Sequence, residues 1–171
     1  LFSGGHLVSA ADIGAMLATG LMALRVVRRP RIALITTGAE IIEPDREPAA
    51  GEIVEFNSRM MAAMVDACGG HAIRMDATGG SDTALGATID KALASSDLVC
   101  VIAGSSVGRK DSTIQLLSAR GRLLVHGINL MPGRPAALAN IGGQPVLAVP
   151  GYPVSAAIVC RELLYPMIIR M

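Results

Sequence analysis

Apolar residues along this chain fall into short continuous runs separated by stretches with helical spacing. Leu98–Ala103 is an uninterrupted run with two valines and an isoleucine, the pattern of a strand buried on both faces of a parallel sheet, and Ile32–Ile35 is a second apolar β run. Shorter strand-like runs are Leu24–Val27, Ala72–Met75 and Leu123–Val125, and Ala136–Ala139 and Val146–Val149 are short apolar runs in a stretch rich in turns. Between them the spacing turns helical. Asp12 precedes Ile13, Met16, Leu17 and Leu21, and Asn57 or Ser58 can cap a helix carrying Met60, Met61, Met64, Val65 and Cys68, which Gly69-Gly70 ends. Ser81 or Asp82 starts a helix with Leu85, Ile89, Ala92 and Leu93 on one face. Ser112 and Gln115, at capping-box spacing, open a helix over Ser112–Ala119. A last helix runs from Val154 to Ile169 with Val154, Ala157, Ile158, Leu164 and Ile168 inward. Strands that alternate with helices predict an α/β fold, a three-layer α/β/α sandwich with a mostly parallel sheet.

Composition narrows the kind of core and partner. Hydrophobic residues make up 51% of the chain, aromatics only 2%, and there is no tryptophan, so Ala, Val, Ile, Leu and Met must fill the interior. A mean hydropathy of +0.51 suggests apolar surface that a partner or a second copy covers. The formal charge of +1 gives no footprint for nucleic acid. The nearly apolar run Ile13–Leu24 is too short for a membrane span and is broken by Gly14, Thr19 and Gly20. Cys68, Cys100 and Cys160, odd in number and set among apolar neighbours, read as reduced thiols, and with no targeting signal legible a cytoplasmic location is expected. His6, His71 and His126 share no metal-ligand spacing.

Four loops carry the candidate chemistry: Thr36–Glu40, Gly104–Asp111, Pro132–Pro135 and Pro150–Ser155. Each follows or interrupts a β run and joins Gly or Pro to a hydroxyl or a charge, the makings of a backbone cradle for an oxyanion. Gly104 and Gly108 permit close approach, Ser105 and Ser106 add hydroxyl donors, and Asp111 adds a carboxylate beside Arg109 and Lys110. Arg134 offers a planar fork of donors, and Ser155 falls in the first turn of the last helix. Plainer roles exist for each. Asp111 reads equally well as a helix cap, Arg134 as a surface residue, and Ser105 and Ser106 as turn residues. Arg28–Arg31 is more simply a solvated turn than an anion site, and the order Gly108-Arg109-Lys110-Asp111 misses the Gly-Lys-Ser/Thr of a P-loop.

Taken in order, Thr37-Gly38-Ala39-Glu40, Gly104-Ser-Ser-Val-Gly108 with Asp111, Pro132-Gly133-Arg134-Pro135 and Pro150-Gly151-Tyr152-Pro153-Val-Ser155 resemble the central domain of the molybdopterin molybdotransferases, the MoeA and gephyrin E-domain type. The opening segment, residues 1–29, looks like that family's lead-in from a preceding domain, with residues 30–171 as the molybdopterin-binding domain. The resemblance implies about five strands, and an enzyme that inserts molybdate into adenylylated molybdopterin with Mg²⁺ and releases AMP. It also implies a homodimer in the full-length protein. By match, Asp111, Arg134 and Ser155 would be catalytic, and Asp111 with Glu40 would hold the metal. Thr37, Gly38, Glu40, Gly104, Ser105, Ser106, Gly108, Pro132, Gly133, Pro150, Gly151 and Pro153 would line the pterin and phosphate site. The family usually has Asp, Lys and Asn where this chain has Ala39, Met131 and Tyr152. Those departures favour a second reading, a catalytically degenerate binding or dimerisation module of the same fold. A molybdopterin adenylyltransferase is a third, which Ala103-Gly104-Ser105-Ser106 matches less well.

Overall fold

The computed structural model describes residues 3–77, 81–103 and 107–171, and the side chains of all of these except residue 77 and residues 107–111. In chain order the elements are α1 (Ala10–Ala18), β1 (Arg31–Thr37), β2 (Ile41–Ile42), β3 (Ile53–Val54), α2 (Asn57–Ala67), β4 (His71–Ala77), α3 (Asp82–Ser95), β5 (Leu98–Ile102), α4 (Val107–Arg120), β6 (Arg122–His126), β7 (Ala137–Ile141), β8 (Gln144–Val149), α5 (Pro153–Val159) and α6 (Tyr165–Ile169). A π turn, Cys160–Leu164, joins the last two.

The main sheet has six strands in the order β4-β1-β5-β8-β7-β6. The first four run parallel, β7 runs antiparallel to β8, and β6 runs antiparallel to β7. The fold is therefore the mostly parallel α/β sandwich the sequence implies, with one strand more. Side-chain alternation divides the central strands between two cores. Ile32 and Leu34, Leu98 and Cys100, and Leu147 and Val149 face Met61 and Val65 of α2 and Ala156, Val159 and Leu164 of the C-terminal helical segment. Ala33 and Ile35, Val99 and Val101, and Val146 and Ala148 face Leu85 and Ile89 of α3 and Leu117 of α4. A strand that must be apolar on both faces shows no alternation in sequence, which is why β1, β5 and β8 are legible as continuous runs.

Several boundaries differ from the sequence reading. Leu24–Val27 is not a strand: residues 21–30 have no regular structure, and Val26 and Val27 are exposed. The strand that follows, β1, already has β4 on one side and β5 on the other, so the segment cannot pair with it. The start of α1 is set by Ser9, which forms a capping box with Asp12. On α2, neither Asn57 nor Ser58 caps through its side chain; the buried Glu55 carboxylate accepts the Ser58 N–H at 2.7 Å instead. Helix α4 begins at Val107, so Gly108, Asp111 and Ser112 lie within it and neither Asp111 nor Ser112 is its cap. Arg109 and Lys110, read as loop cations, are also good helix formers. At the C-terminus Val154 is exposed, and the inward residues are Ala156, Val159, Cys160, Leu164 and Ile168. Pro166 explains the π turn, because proline lacks an N–H and crowds the carbonyl four residues before it. The helix widens there, and the Tyr165 N–H donates to the Cys160 carbonyl. The parallel two-stranded ladder of β2 and β3, which brackets the polar 45–51 loop, has only two residues a side and carries no periodic signal.

Candidate functional site

Parallel order puts the carboxyl ends of β1, β5 and β8 along one rim, where ligands of open α/β sheets sit. Ala137 pairs with Ala148, so the loop of residues 127–136 reaches the same rim from the antiparallel side. The topology thus brings together the chain segments that carry all four loops singled out in the sequence.

Their residues are placed as follows. Thr37 is buried, and after it the Ile41 N–H donates to the Gly38 carbonyl at 3.3 Å. A Cβ on Gly38 would stand 2.7 Å from Ile41 Cγ1 and 3.1 Å from Glu40 Oε2, so only glycine fits beneath that turn. Ala39 is exposed at its tip and Glu40 half-buried. Gly104, Ser105 and Ser106 lie outside the described residues, as does the side chain of Asp111. Pro132 is half-buried; Gly133 is buried at φ +126°, with Leu130 and Val159 each 3.1 Å from where a Cβ would be. The Gly133 carbonyl accepts the Ala136 N–H at 3.0 Å, and the Arg134 carbonyl accepts that of Ile128 at 2.9 Å, which leaves the exposed Arg134 side chain on a braced turn. Pro150 is buried, Gly151 half-buried, Pro153 opens α5, and Ser155 is half-buried in it.

A pocket of about 210 Å³ opens at this rim. Thr37, Gly151 and Pro153 line it among the expected residues, together with Thr36, Ile41, Ile102, Ala103 and Tyr152. Its remaining wall, Ile53–Asn57, is the β3–α2 corner, which the sequence reading passed over. Neither Arg134 nor Ser155 lines it. Among the described residues the lining is largely aliphatic and includes no Arg or Lys, so that part of the hollow suits a neutral group better than an oxyanion.

Two polar devices hold the corner. Glu55 is 4% exposed, and its carboxylate accepts from the Ser58 N–H, the Ser58 hydroxyl at 2.8 Å and the Arg59 guanidinium at 2.8 Å. Arg59 also binds Glu43, whose carboxyl it holds below the ordinary range, and the Arg74 Nε donates to Ser58 Oγ at 3.0 Å. The second device is Asn57, 7% exposed, whose Nδ2 donates to the Gly151 carbonyl at 2.7 Å across 94 residues of chain. That bond fixes the amide orientation, because a flipped amide would set two acceptors together. Asn57 Oδ1 is then buried with no hydrogen-bond partner among the described residues. An unpaired buried acceptor costs about 1–3 kcal/mol. The sequence does carry a signal for the first device, Glu55-x-x-Ser58-Arg59 at cap and i,i+4 spacing; the Asn57–Gly151 clasp has none, since it is made only by folding.

The cysteines take no part. Burial raises the Cys100 thiol well above its ordinary value and pushes Cys160 up to about 12, so both stay protonated and pack the core. Among the described residues no group of three or more His, Cys, Asp or Glu is placed to hold a metal ion, and no helix is long and apolar enough to cross a membrane.

A doubly covered parallel sheet with a ring-sized hollow at its carboxyl rim defines an α/β small-molecule-binding domain. The model of one family, described as a probable molybdopterin binding domain, matches residues 33–170, and this chain belongs to that family. It is 32% identical over 96% of its length to a molybdopterin molybdenumtransferase of Nostoc sp., and 34% identical over 95% to molybdopterin molybdenumtransferase 2 of Mycobacterium tuberculosis. It spans 38% and 42% of those two proteins. A crystal structure of a molybdopterin biosynthesis MoeA protein from Pyrococcus horikoshii superposes with a TM-score of 0.86 at 32% identity, covering 97% of this chain and 41% of that one.

Proposed function

We propose that this chain is the molybdopterin-binding domain of an enzyme that builds the molybdenum cofactor, inserting molybdate into adenylylated molybdopterin and releasing AMP. The observation that carries the reading is the convergence of the four loop-bearing segments on one rim of a sheet that belongs to the molybdopterin-binding family. At that rim the aliphatic hollow would receive a neutral ring. The braced Arg134 turn and the Ser155 hydroxyl, on neighbouring segments, would hold molybdate or phosphate oxygens.

Mg²⁺ suits such a site, because it is typically held by one or two carboxylates and the substrate's own phosphates. Glu40, whose carboxylate lies over Gly38 at the rim, and Asp111 in α4 would supply those carboxylates. When bound, the cation would neutralise charge on the phosphoanhydride oxygens. The chain's own residues would orient the anhydride and fix the incoming oxyanion, and neither role needs a protein nucleophile.

One observation favours the degenerate module as a second reading: Ala39 at its turn and Met131, 81% exposed, put a methyl and a thioether on the same rim. Calorimetric titration with molybdate or tungstate tests the anion site. The account expects binding that Arg134→Ala or Ser155→Ala weakens by about ten- to a hundredfold, the value of one charge-assisted hydrogen bond. Binding unchanged by both substitutions would remove these residues from the site, and an absence of binding would remove the anion site itself.

A further inference from the structure

An asparagine at the first position of a helix ordinarily uses its side chain as a cap or leaves it in water. Asn57 does neither: it is nearly buried, and Glu55 already meets the Ser58 N–H. Its Nδ2 donates instead to the Gly151 carbonyl at 2.7 Å. The other amide atom gains nothing, because Oδ1 is closed off from solvent and has no donor among the described residues. The loss at Oδ1 offsets the bond at Nδ2, so Asn57 adds little net stability. What it does supply is a fixed position for the Gly151 carbonyl.

That bond acts at the one adaptable point of the Pro150–Pro153 turn. Proline fixes φ at 150 and 153, whereas glycine has the widest backbone freedom of any residue type. Beyond Gly151 the chain is stiff: the Tyr152 carbonyl accepts the Ala156 N–H at 2.8 Å, and Pro153 opens α5, which carries Ser155 two residues on. Ala156 and Val159 anchor the body of α5 in the core, and the clasp holds its first turn. Asn57 itself stands on a fixed base, beside the Glu55 carboxylate that binds Ser58 and Arg59 at 2.7–2.8 Å.

We propose that Asn57 is a positioning residue of the oxyanion site: by holding the Gly151 carbonyl it keeps the Pro150–Pro153 turn and the Ser155 hydroxyl in the one orientation in which they meet the anion together with Arg134. The proposal rests on the reading of Arg134 and Ser155 as the groups that bind molybdate or phosphate oxygens. A tetrahedral oxyanion needs its donors at fixed separations before it arrives. Arg134 and Ser155 come from different segments, so their separation depends on how each is braced. The Arg134 turn is braced by its own backbone, through the Gly133 and Arg134 carbonyls. The brace on the Ser155 side is Asn57, reached from the far end of the chain.

Calorimetric titration with molybdate, run alongside thermal unfolding, is the test. Asn57→Ala should weaken molybdate binding about tenfold, part of the value of the Ser155 hydrogen bond, while Tm changes by no more than about 3 °C. Asn57→Ser has a side chain too short to reach Gly151 but a residue type favoured where helices start, so it keeps the fold and should lose affinity to the same extent. In the Ser155→Ala background, where the positioned hydroxyl is gone, Asn57→Ala should cost less than about twofold. A residue that only stabilises the fold would lower Tm, leave affinity alone and act equally in both backgrounds. Wild-type affinity in both Asn57 variants, or the full tenfold loss persisting without the Ser155 hydroxyl, overturns the proposal. If Ser155→Ala alone still weakens binding, the anion site stands and only the role of the clasp falls; wild-type protein that binds no molybdate removes both.

Discussion

Asp97 is a single residue on which two parts of the chain depend. Its carboxylate accepts both guanidinium N–H groups of Arg28 at 2.6 Å and the Arg31 N–H at 2.7 Å, so it ties residue 28 to the start of β1. The Arg28 hydrogen bonds, against a smaller opposing effect of burial, hold its carboxyl down to about 2. The folded-state value lies below the unfolded one, so the stabilisation is complete above about pH 4 and disappears as pH falls towards 2. Asp97→Asn should therefore lower stability by about 1 kcal/mol at pH 7, discounted for solvent screening, and flatten the acid limb between pH 4 and 2. Urea unfolding across that range measures both. The residue scale is also where the sequence said least about the site. Glu55 and Asn57 are polar residues beside a helix start, and nothing local distinguishes a cap from a clasp that closes on Gly151 far along the chain. Thr37, Gly151 and Pro153, which line the hollow, are legible as turn positions because Gly, Pro and hydroxyl residues at strand ends mark turns whatever the tertiary structure.

Elements differ in how much of them a sequence displays. The buried strands β1, β5 and β8 and the helices α2 and α3 carry long apolar patterns, and these were legible. Strand β6, whose centre reads as strand-like at Leu123–Val125, is largely exposed and bulged, whereas β2 and β3 have two residues each and exist because they pair with each other. Close approaches between elements offer a sharper test. A Cβ on Gly121, between α4 and β6, would stand 2.3 Å from the backbone carbonyl oxygen of Asn140 in β7. A Cβ on Gly86, within α3, would instead meet the far end of the flexible Arg120 side chain at 2.3 Å. Gly121→Ala should cost about 2–3 kcal/mol, since backbone must move. Gly86→Ala should fall within about 1 kcal/mol of neutral, because Arg120 can swing away and alanine favours the helix. Thermal unfolding of the two variants side by side tests that the α4–β7 contact is rigid.

At the scale of the molecule, one sheet with two apolar faces buries most of the apolar sequence and leaves one rim for chemistry. A share of the apolar residues it does not bury lies near the N-terminus: Leu7, Met22, Val26 and Val27 are all at least 70% exposed, which accounts for part of the high mean hydropathy. Under the proposed function the roles at the rim would divide: the hollow would receive a ring, and Arg134, Ser155 and Asp111 would meet the oxygens of the anhydride and the oxyanion. The most direct measurement of that account is cofactor assembly by the full-length gene product, supplied with adenylylated molybdopterin, molybdate and Mg²⁺. The account predicts AMP release coupled to molybdenum insertion, abolished by Asp111→Asn with Tm within about 2 °C of wild type. AMP release at the background rate with the wild-type protein, or full activity in Asp111→Asn, would contradict it.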